Sequence, residues 1–164
     1  MLNKMKRIFI PMLLAIALAS CTASNSNSPN EIDQTMIIKK PSPYSASETI
    51  DRLENILNAK GLTVFTRVDH AAGAKKVDLA LGGSELIIFG NPKLRTPLMQ
   101  ENPEMGLDLP LKALAYTDAD GQTYLKYIAP ASLETRHNIQ TNKAVIEKMT
   151  GALDAMTSKA VEAE

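Results

Sequence analysis

The chain has 164 residues, 45% of them hydrophobic and 22% charged, which are the length and composition of one ordinary globular domain. Its 18 basic residues balance its 18 acidic residues, but Lys4, Lys6 and Arg7 lie in the first 20 positions, which hold no acid. The rest of the chain is therefore slightly acidic, which argues against the clustered excess of Lys and Arg on a nucleic-acid-binding surface.

The first 20 residues have the pattern of a bacterial lipoprotein signal peptide. The basic residues precede an apolar run at positions 8–19, which is shorter than the ~20 residues of a membrane-spanning helix. The run ends in LASC at 18–21, which resembles the lipobox at which bacterial lipoproteins are cleaved and acylated. This resemblance implies that Cys21 carries the lipid and anchors the protein in the bacterial cell envelope. Thr22, in place of Asp, resembles the sorting pattern for the outer membrane, with the domain facing the periplasm.

Cys21 is the only cysteine in the chain, so its acylation leaves no thiol for a disulfide, a metal site or nucleophilic catalysis. An ordinary secretory leader with an incidental cysteine is the alternative interpretation. Residues 21–34 are rich in Ser and Asn and poor in large apolar side chains, which predicts a flexible tether with a reach of about 20 Å. We therefore divide the chain into a signal peptide at 1–20, the tether, a domain at 35–138 and a C-terminal helix at 139–164.

The domain begins with a predicted strand and a predicted helix. Residues 36–38 are apolar and include two β-branched residues, which predicts a short strand that ends before Pro41. Ser45 and Glu48 have the capping-box spacing of a helix start, and Gly61 stands where a left-handed residue ends a helix. The apolar residues between these signals recur on one helical face: Ala46, Ile50, Leu53, Ile56 and Leu57.

Strands and short helices alternate through the rest of the chain. Residues 62–68 and 85–89 are predicted strands, and the second is expected in the interior of a sheet because it is a continuous apolar run. Thr96 before Pro97 predicts the start of a short helix that ends near Pro103. The other predicted elements are a hairpin of strands 112–117 and 122–128 around the turn 118–121, and helices at 130–136 and 142–161. This order predicts an α+β fold in two layers, a mostly antiparallel sheet with helices packed on one face, plus a C-terminal helix.

Three motifs in the middle of the chain resemble one known family. They read FGNPK at 89–93, TPLM at 96–99 and LDLPLK at 107–112. Shorter matching pieces are Asp69-His70, Asp120-Gly121, Pro130 and Arg136-His137. In this order, over residues 35–137, they resemble the family called domain of unknown function 302. The resemblance implies a small α+β domain that tends to form homodimers and whose biochemical role is not established.

Two charged residues in the motif region raise specific expectations. Position 95 is Arg in this chain, where the family has a small residue, often Gly; a positive φ at this position would strain Arg95 and count against a ligand-binding turn. Asp108 stands between leucines, so we expect it to be partly buried. A buried carboxylate needs a partner, which would be a backbone N–H, Arg95 or Arg136, or it would line a pocket as a perturbed acid.

The candidate ligand-binding residues come from these motifs, and each has a plain structural alternative. His70 and His137 are the only histidines, and with Asp69 they would supply an acid–base or metal site if the fold brings them together. The alternative is that each bonds a loop or caps a helix. Met99 suggests soft-metal or haem ligation, or simply a core position. The complete set is Asp69, His70, Asn91, Thr96, Met99, Asp108 and His137.

The sequence leaves the reaction open. It holds no His–carboxylate zinc motif, no nucleophile elbow and no phosphate-binding glycine loop, so both the enzymatic activity and the identity of any cofactor stay open. We expect a lipid-anchored envelope protein that is a small ligand-binding or protein-interaction module, with membrane lipid and a second copy of the chain as partners. The alternative is an enzyme, or a metal- or haem-handling protein, that uses Asp69, His70 and His137.

Overall fold

A computed structural model describes residues 37–164, so the predicted signal peptide, Cys21 and the predicted tether lie outside the described residues. The strands are β1 (Ile37–Ser42), β2 (Thr63–Asp69), β3 (Ser84–Gly90), β4 (Leu111–Thr117) and β5 (Thr123–Ile128). The helices are α1 (Ala46–Ala59), α2 (His70–Lys75), α3 (Pro92–Glu101), α4 (Ala131–Arg136) and α5 (Lys143–Val161). A 3-10 helix spans Pro103–Leu107 between α3 and β4.

The five strands form one antiparallel sheet in the order β1-β5-β4-β3-β2. Helices α1 and α5 pack against one face of this sheet and against each other. The predicted α+β class, with a mostly antiparallel sheet, helices on one face and a C-terminal helix, is confirmed. The larger core cluster lies between these layers and includes Ile50, Leu53 and Leu57 of α1, Ile87 and Phe89 of β3, Leu125 and Tyr127 of β5, and Leu153 and Met156 of α5.

A second apolar cluster joins α3, the 3-10 helix, α4 and α5. Helix α3 follows the end of β3, and α4 follows the end of β5. The register places both strand ends beside the start of β4, at one end of the sheet. The buried members are Leu98, Met105, Leu109, Leu133, Ile139, Ile146 and Met149. Within residues 37–164, no helix combines the length and the apolar character that crossing a bilayer requires.

Helix α1 forms for the reasons that the sequence indicates. The Ser45 hydroxyl accepts a hydrogen bond from the Glu48 backbone N–H at 3.2 Å, which satisfies one of the free donors at the helix start. Gly61 has a φ of +72° just beyond the other end, a conformation that a side chain disfavours. The predicted helix and both of its end signals are confirmed.

Strand β1 runs through Pro41, which the sequence analysis took as its end. The strand continues to Ser42, and Pro41 pairs with Tyr124 of β5. Strand β1 is an edge strand, where a proline without an N–H can face outward and leave no ladder bond unmade. The prediction was wrong because a proline ends only a strand that has neighbours on both sides.

Helix α3 begins before the predicted start at Thr96. Asn91 is the N-cap, its side-chain oxygen accepts from the Lys93 N–H at 2.9 Å, and Pro92 occupies the first helical position. Thr96 therefore lies inside the helix. Arg95 is also helical and is not among the described residues with positive φ, so the condition under which it would be strained is not met.

The carboxylate of Glu101 ties the end of α3 to the beginning of α5. Its oxygens accept hydrogen bonds from the backbone N–H groups of Gln140, Thr141 and Asn142, the last two at 2.8 and 2.9 Å. Asn142, the N-cap of α5, makes no side-chain cap bond, and Glu101 holds the three-residue segment that leads into the helix. The bond from the Thr141 amide is the largest influence, and with the neighbouring donors it outweighs burial and lowers the pKa of Glu101 to about 2.

This pKa predicts an acid-sensitive fold. A carboxyl group with a folded pKa below its usual 4.5 stabilises the protein when it is ionised, and this stabilisation is lost as the pH falls from about 4.5 through about 2. We expect Glu101→Gln to lower the urea midpoint near neutral pH and to flatten its decline between about pH 5 and about pH 2. Urea titrations followed by circular dichroism measure both effects.

The matched control is Glu104→Gln, at an exposed position of the 3-10 helix. It should leave both the midpoint and its pH dependence close to those of the wild type. If Glu101→Gln and the wild type lose stability with acid in the same way, the carboxylate does not hold α5 in solution.

Candidate functional site

Two of the predicted site residues, Asp108 and His137, meet where the 3-10 helix and α4 end. Their side chains are 2.6 Å apart, from Asp108 Oδ2 to His137 Nε2, and Arg136 Nη1 lies 2.8 Å from Asp108 Oδ1. The imidazole is buried, with 6% of its side chain exposed, and the carboxylate is 20% exposed. Of the two arginines expected as partners of Asp108, Arg136 forms the ion pair and Arg95 does not. His137 is a further partner that was not expected.

The electrostatics of this cluster keep Asp108 ionised. Burial on its own would raise the pKa of Asp108, but the hydrogen bonds from His137 and Arg136 outweigh it and hold the pKa below its usual value. The Asn102 side chain also donates to the His137 carbonyl at 3.0 Å. We call these residues the Asp108 cluster. Every contact named here joins the segment before β4 to the end of α4, so the geometry is that of a structural clasp.

A small cavity of about 250 Å³ lies beside the Asp108 cluster. Its walls come from the start of β4, the end of β5, and α4, and they are mostly apolar. Asp108, Lys112 and Lys126 supply its charged groups. The cavity is below the range of about 300–1,000 Å³ that is usual for small-molecule sites.

Removing the charge of Asp108 is expected to destabilise the fold. Asp108→Asn should lower the free energy of unfolding by about 1–3 kcal/mol, because hydrogen bonds to a largely buried charged group are weakened or lost. Urea denaturation near neutral pH measures the change. Glu147→Gln, at an exposed position of α5, is the control and should change it by less than about 0.5 kcal/mol. A midpoint for Asp108→Asn equal to the wild type would show that the cluster is not a stabilising clasp.

Asp69 and His70 lie at the other end of the sheet. The Asp69 side chain caps α2 by accepting from the Ala72 N–H at 2.8 Å, and His70 is exposed at the first position of α2. Asp69 pairs with Glu85 at the start of β3, whereas the strand that follows Asp108 pairs with the end of β3. The two positions on β3, Glu85 and Phe89, are four residues apart, which is about 13 Å along the strand.

The structure therefore does not bring Asp69 and His70 to His137. Among residues 37–164, no group of three His, Cys, Asp or Glu side chains is arranged to hold a metal ion. Thr96 is exposed on α3, and Met99 is half-buried against the second apolar cluster. Asn91 caps α3 and also lines a second cavity, which lies between α3 and α5.

A groove of about 540 Å³ lies between α3 and α5. It is larger than the cavity beside the Asp108 cluster, and we call it the α3–α5 groove. Its floor is apolar and mostly buried, and the exposed residues Ala152 and Ala155 of α5 border its opening with small side chains. The first and third family-like motifs both contribute to it, through Gly90-Asn91 and Leu109-Pro110. The apolar floor is formed by Leu62, Phe89, Leu94, Leu109, Leu111, Met149, Leu153 and Met156.

Four cationic side chains border the α3–α5 groove, and no Asp or Glu is among its lining residues. They come from three helical regions: Lys60 after α1, Lys93 and Arg95 from α3, and Lys148 from α5. None of the four forms a salt bridge with a carboxylate of residues 37–164. The groove therefore combines an apolar interior with a positively charged rim.

Arg95 differs from the other arginines of the described domain. Arg52, Arg67 and Arg136 each form a salt bridge with at least one carboxylate. The guanidinium of Arg95 instead lies over the ring of Phe65, with its carbon 5.2 Å from the ring centroid. Lys60, Lys93 and Lys148 were not predicted from the sequence, because each is an ordinary surface residue by itself and they are far apart in the chain. The one sequence feature that pointed to the groove was Arg95, where the family has a small residue.

Residues 38–156 match the family described as domain of unknown function DUF302. The chain belongs to the DUF302 family. The family match reaches residue 156, beyond the expected limit at 138, and so includes most of α5. This agrees with the packing of α5 into both apolar clusters.

A solved structure shows the same fold. The crystal structure of an uncharacterized conserved DUF302 protein from Bacillus stearothermophilus has a TM-score of 0.68 and 21% sequence identity, and the match covers 76% of this chain and 98% of that chain. The solved chain consists almost entirely of this domain.

Curated relatives carry a more specific name. The proteins named fluoride-specific ion channel FluC 1 of Brucella suis and of Brucella abortus are each 45% identical over 112 residues. These matches cover 68% of this chain but only 44% and 42% of the relatives. Fluoride-specific ion channel FluC 2 of Brucella melitensis matches to the same extent as the Brucella abortus protein. The chain thus spans less than half the length of these relatives.

Proposed function

We propose that this DUF302 protein is a lipid-anchored protein of the bacterial envelope whose domain binds a small ligand in the α3–α5 groove. The observation that carries the proposal is the groove itself. Its volume of about 540 Å³ falls within the range of about 300–1,000 Å³ for small-molecule sites, which are mostly apolar with a few polar groups. The first and third family-like motifs contribute residues to its walls, Gly90-Asn91 and Leu109-Pro110.

The envelope location rests on the leader pattern and on the lipobox resemblance. The relatives named fluoride-specific ion channels support a role at a membrane, since an ion channel acts there. An acyl chain on Cys21, together with a second chain, would hold the domain at the membrane surface durably, because a single chain gives only marginal binding. The outer membrane, facing the periplasm, remains the predicted destination.

Lipidation is tested by metabolic labelling. Cells grown with an alkyne analogue of palmitate should incorporate it into the wild-type protein, and Cys21→Ser should remove the label because no other thiol exists in the chain. Mass spectrometry of the mature N-terminus is the second measurement. An unlabelled wild-type protein, or a mature chain that starts elsewhere than at residue 21, would contradict the anchor.

Ligand binding is tested by native mass spectrometry of the mature protein released from its own membrane extract. We expect a retained small molecule in the wild type and none in Ala152→Trp, because an indole at this exposed position fills the opening of the groove. Ala72→Trp makes the same change at an exposed position of α2 that does not border the groove, so it should retain the molecule. Equal ligand content in all three proteins, or a bare wild type, would contradict the groove as the binding site.

The same spectra report the oligomeric state. A homodimer is implied by the family resemblance and stays a prediction. The helix-free face of the sheet is where we test for it, since Leu86, Leu114 and Ile128 lie there without helices above them. Leu114→Glu should then shift the dimer to a monomer, whereas an unchanged mass would exclude this face as the dimer interface.

A further inference from the structure

The charge on the rim of the α3–α5 groove identifies the class of its ligand. We propose that the groove binds a single-chain amphiphile with an anionic head group, a carboxylate or a phosphate monoester. This inference rests on the proposed binding function and deepens it. The alkyl chain would lie along the apolar floor, and the head group would lie at the cationic rim.

The floor fits an alkyl chain because it is apolar and continuous. Phe89 is fully buried, Leu109, Met149 and Met156 are 6–7% exposed, and all four side chains line the groove. Methionine side chains are flexible and polarizable, so they adapt to a chain without a fixed shape. On the α5 side, the groove is lined by no carboxylate or amide side chain. A wholly polar ligand such as a sugar is therefore disfavoured, because its hydroxyl groups would be buried there without hydrogen-bond partners.

The rim fits an anion because its cations have no acidic partners within residues 37–164. Lys60, Lys93, Arg95 and Lys148 come from separate parts of the chain, yet all of them border one opening. Arg95 is the most specific of them, since a guanidinium binds a carboxylate or a phosphate through two parallel hydrogen bonds. Its half-buried position on α3 over Phe65 also restricts the side chain before the ligand arrives, which reduces the entropy lost on binding.

The smaller cavity beside the Asp108 cluster does not compete for the same ligand. Its charged lining is mixed, with the carboxylate of Asp108 beside Lys112 and Lys126, whereas the charged residues of the groove are all cations. The helix-free face of the sheet supplies Leu86, Lys112, Leu114 and Lys126 to this same small cavity, whose volume is about half that of the groove. The groove is thus the site where enclosure and positive charge coincide.

The test uses the predicted mature chain, residues 21–164, with Cys21→Ser in place of the acylated residue. Isothermal titration calorimetry measures the binding of dodecanoate, dodecyl phosphate and dodecyltrimethylammonium below their micellar concentrations. We expect both anions to bind at least about ten-fold more tightly than the cation. Shortening the acid from twelve to ten carbons should weaken binding by roughly four-fold for each buried methylene that is lost.

Variants of the rim distinguish charge from hydrophobic contact. Arg95→Gln should weaken dodecanoate binding by about ten-fold or more, since it removes a charge-assisted pair. Lys75→Gln, which removes an exposed cation of α2 outside the groove, should leave the affinity unchanged. Circular dichroism confirms that each variant is folded.

The outcomes separate the two proposals. If the cationic amphiphile binds as tightly as the anions, or if Arg95→Gln has no effect, the anionic class is wrong; the groove still stands if Ala152→Trp blocks binding. If no amphiphile binds but the native protein retains another kind of molecule that Ala152→Trp removes, the class is again wrong and the binding function holds. If no amphiphile binds and no molecule is retained, both proposals fail.

Discussion

The bond network of Glu101 is the constraint on which the groove depends. One carboxylate at the end of α3 accepts from three successive backbone N–H groups at the start of α5. It therefore fixes where one helix ends and where the other begins. The two helices share the second apolar cluster, and the groove lies between them away from this junction, beside Lys93, Leu94 and Arg95 of α3 and Met149, Leu153 and Met156 of α5.

The Asp108 cluster has a comparable role on the other side of the same segment. The carboxylate joins the chain before β4 to Arg136 and His137 at the end of α4. Leu109, directly after it, belongs to the second apolar cluster and to the floor of the groove. The polar contact and the apolar contact thus position the same loop, and the groove depends on that loop keeping its place. The residues that look most like a catalytic pair are in this way part of the scaffold of the α3–α5 groove.

Some arginines of this domain form salt bridges within the fold, whereas Arg95 forms none with a carboxylate of residues 37–164. Arg67, for example, is held by Asp51, Glu54 and Glu85 at 2.7 Å, an arrangement that satisfies a partly buried guanidinium within the fold. Arg95 has no such carboxylate in the described domain and instead faces an aromatic ring beside the groove. Since a guanidinium is always charged, an arginine next to an apolar cavity favours ligands that bring their own negative charge.

Local signals in the sequence determined most of the secondary structure. The Ser45 cap, the Gly61 end and the apolar face of α1 depend on neighbours within a few residues, so they could be identified without a fold. The start of α3 was misplaced because Asn91-Pro92 and Thr96-Pro97 carry the same signal. In the fold the helix begins at Pro92, and Leu94 in this first turn packs against the second apolar cluster. Pro41 was misread because the sequence does not state that β1 is an edge strand.

The sequence by itself determined the α+β class, the family resemblance and the lipobox pattern, since each of these depends on the order of residues along the chain. The tertiary structure alone decided that Asp108 meets His137 while Asp69 and His70 lie at the far end of β3. It also decided that Lys60, Arg95 and Lys148 border one groove. The physical reason is that charge pairing and cavity shape depend on distances in space between residues that are dozens of positions apart in the chain.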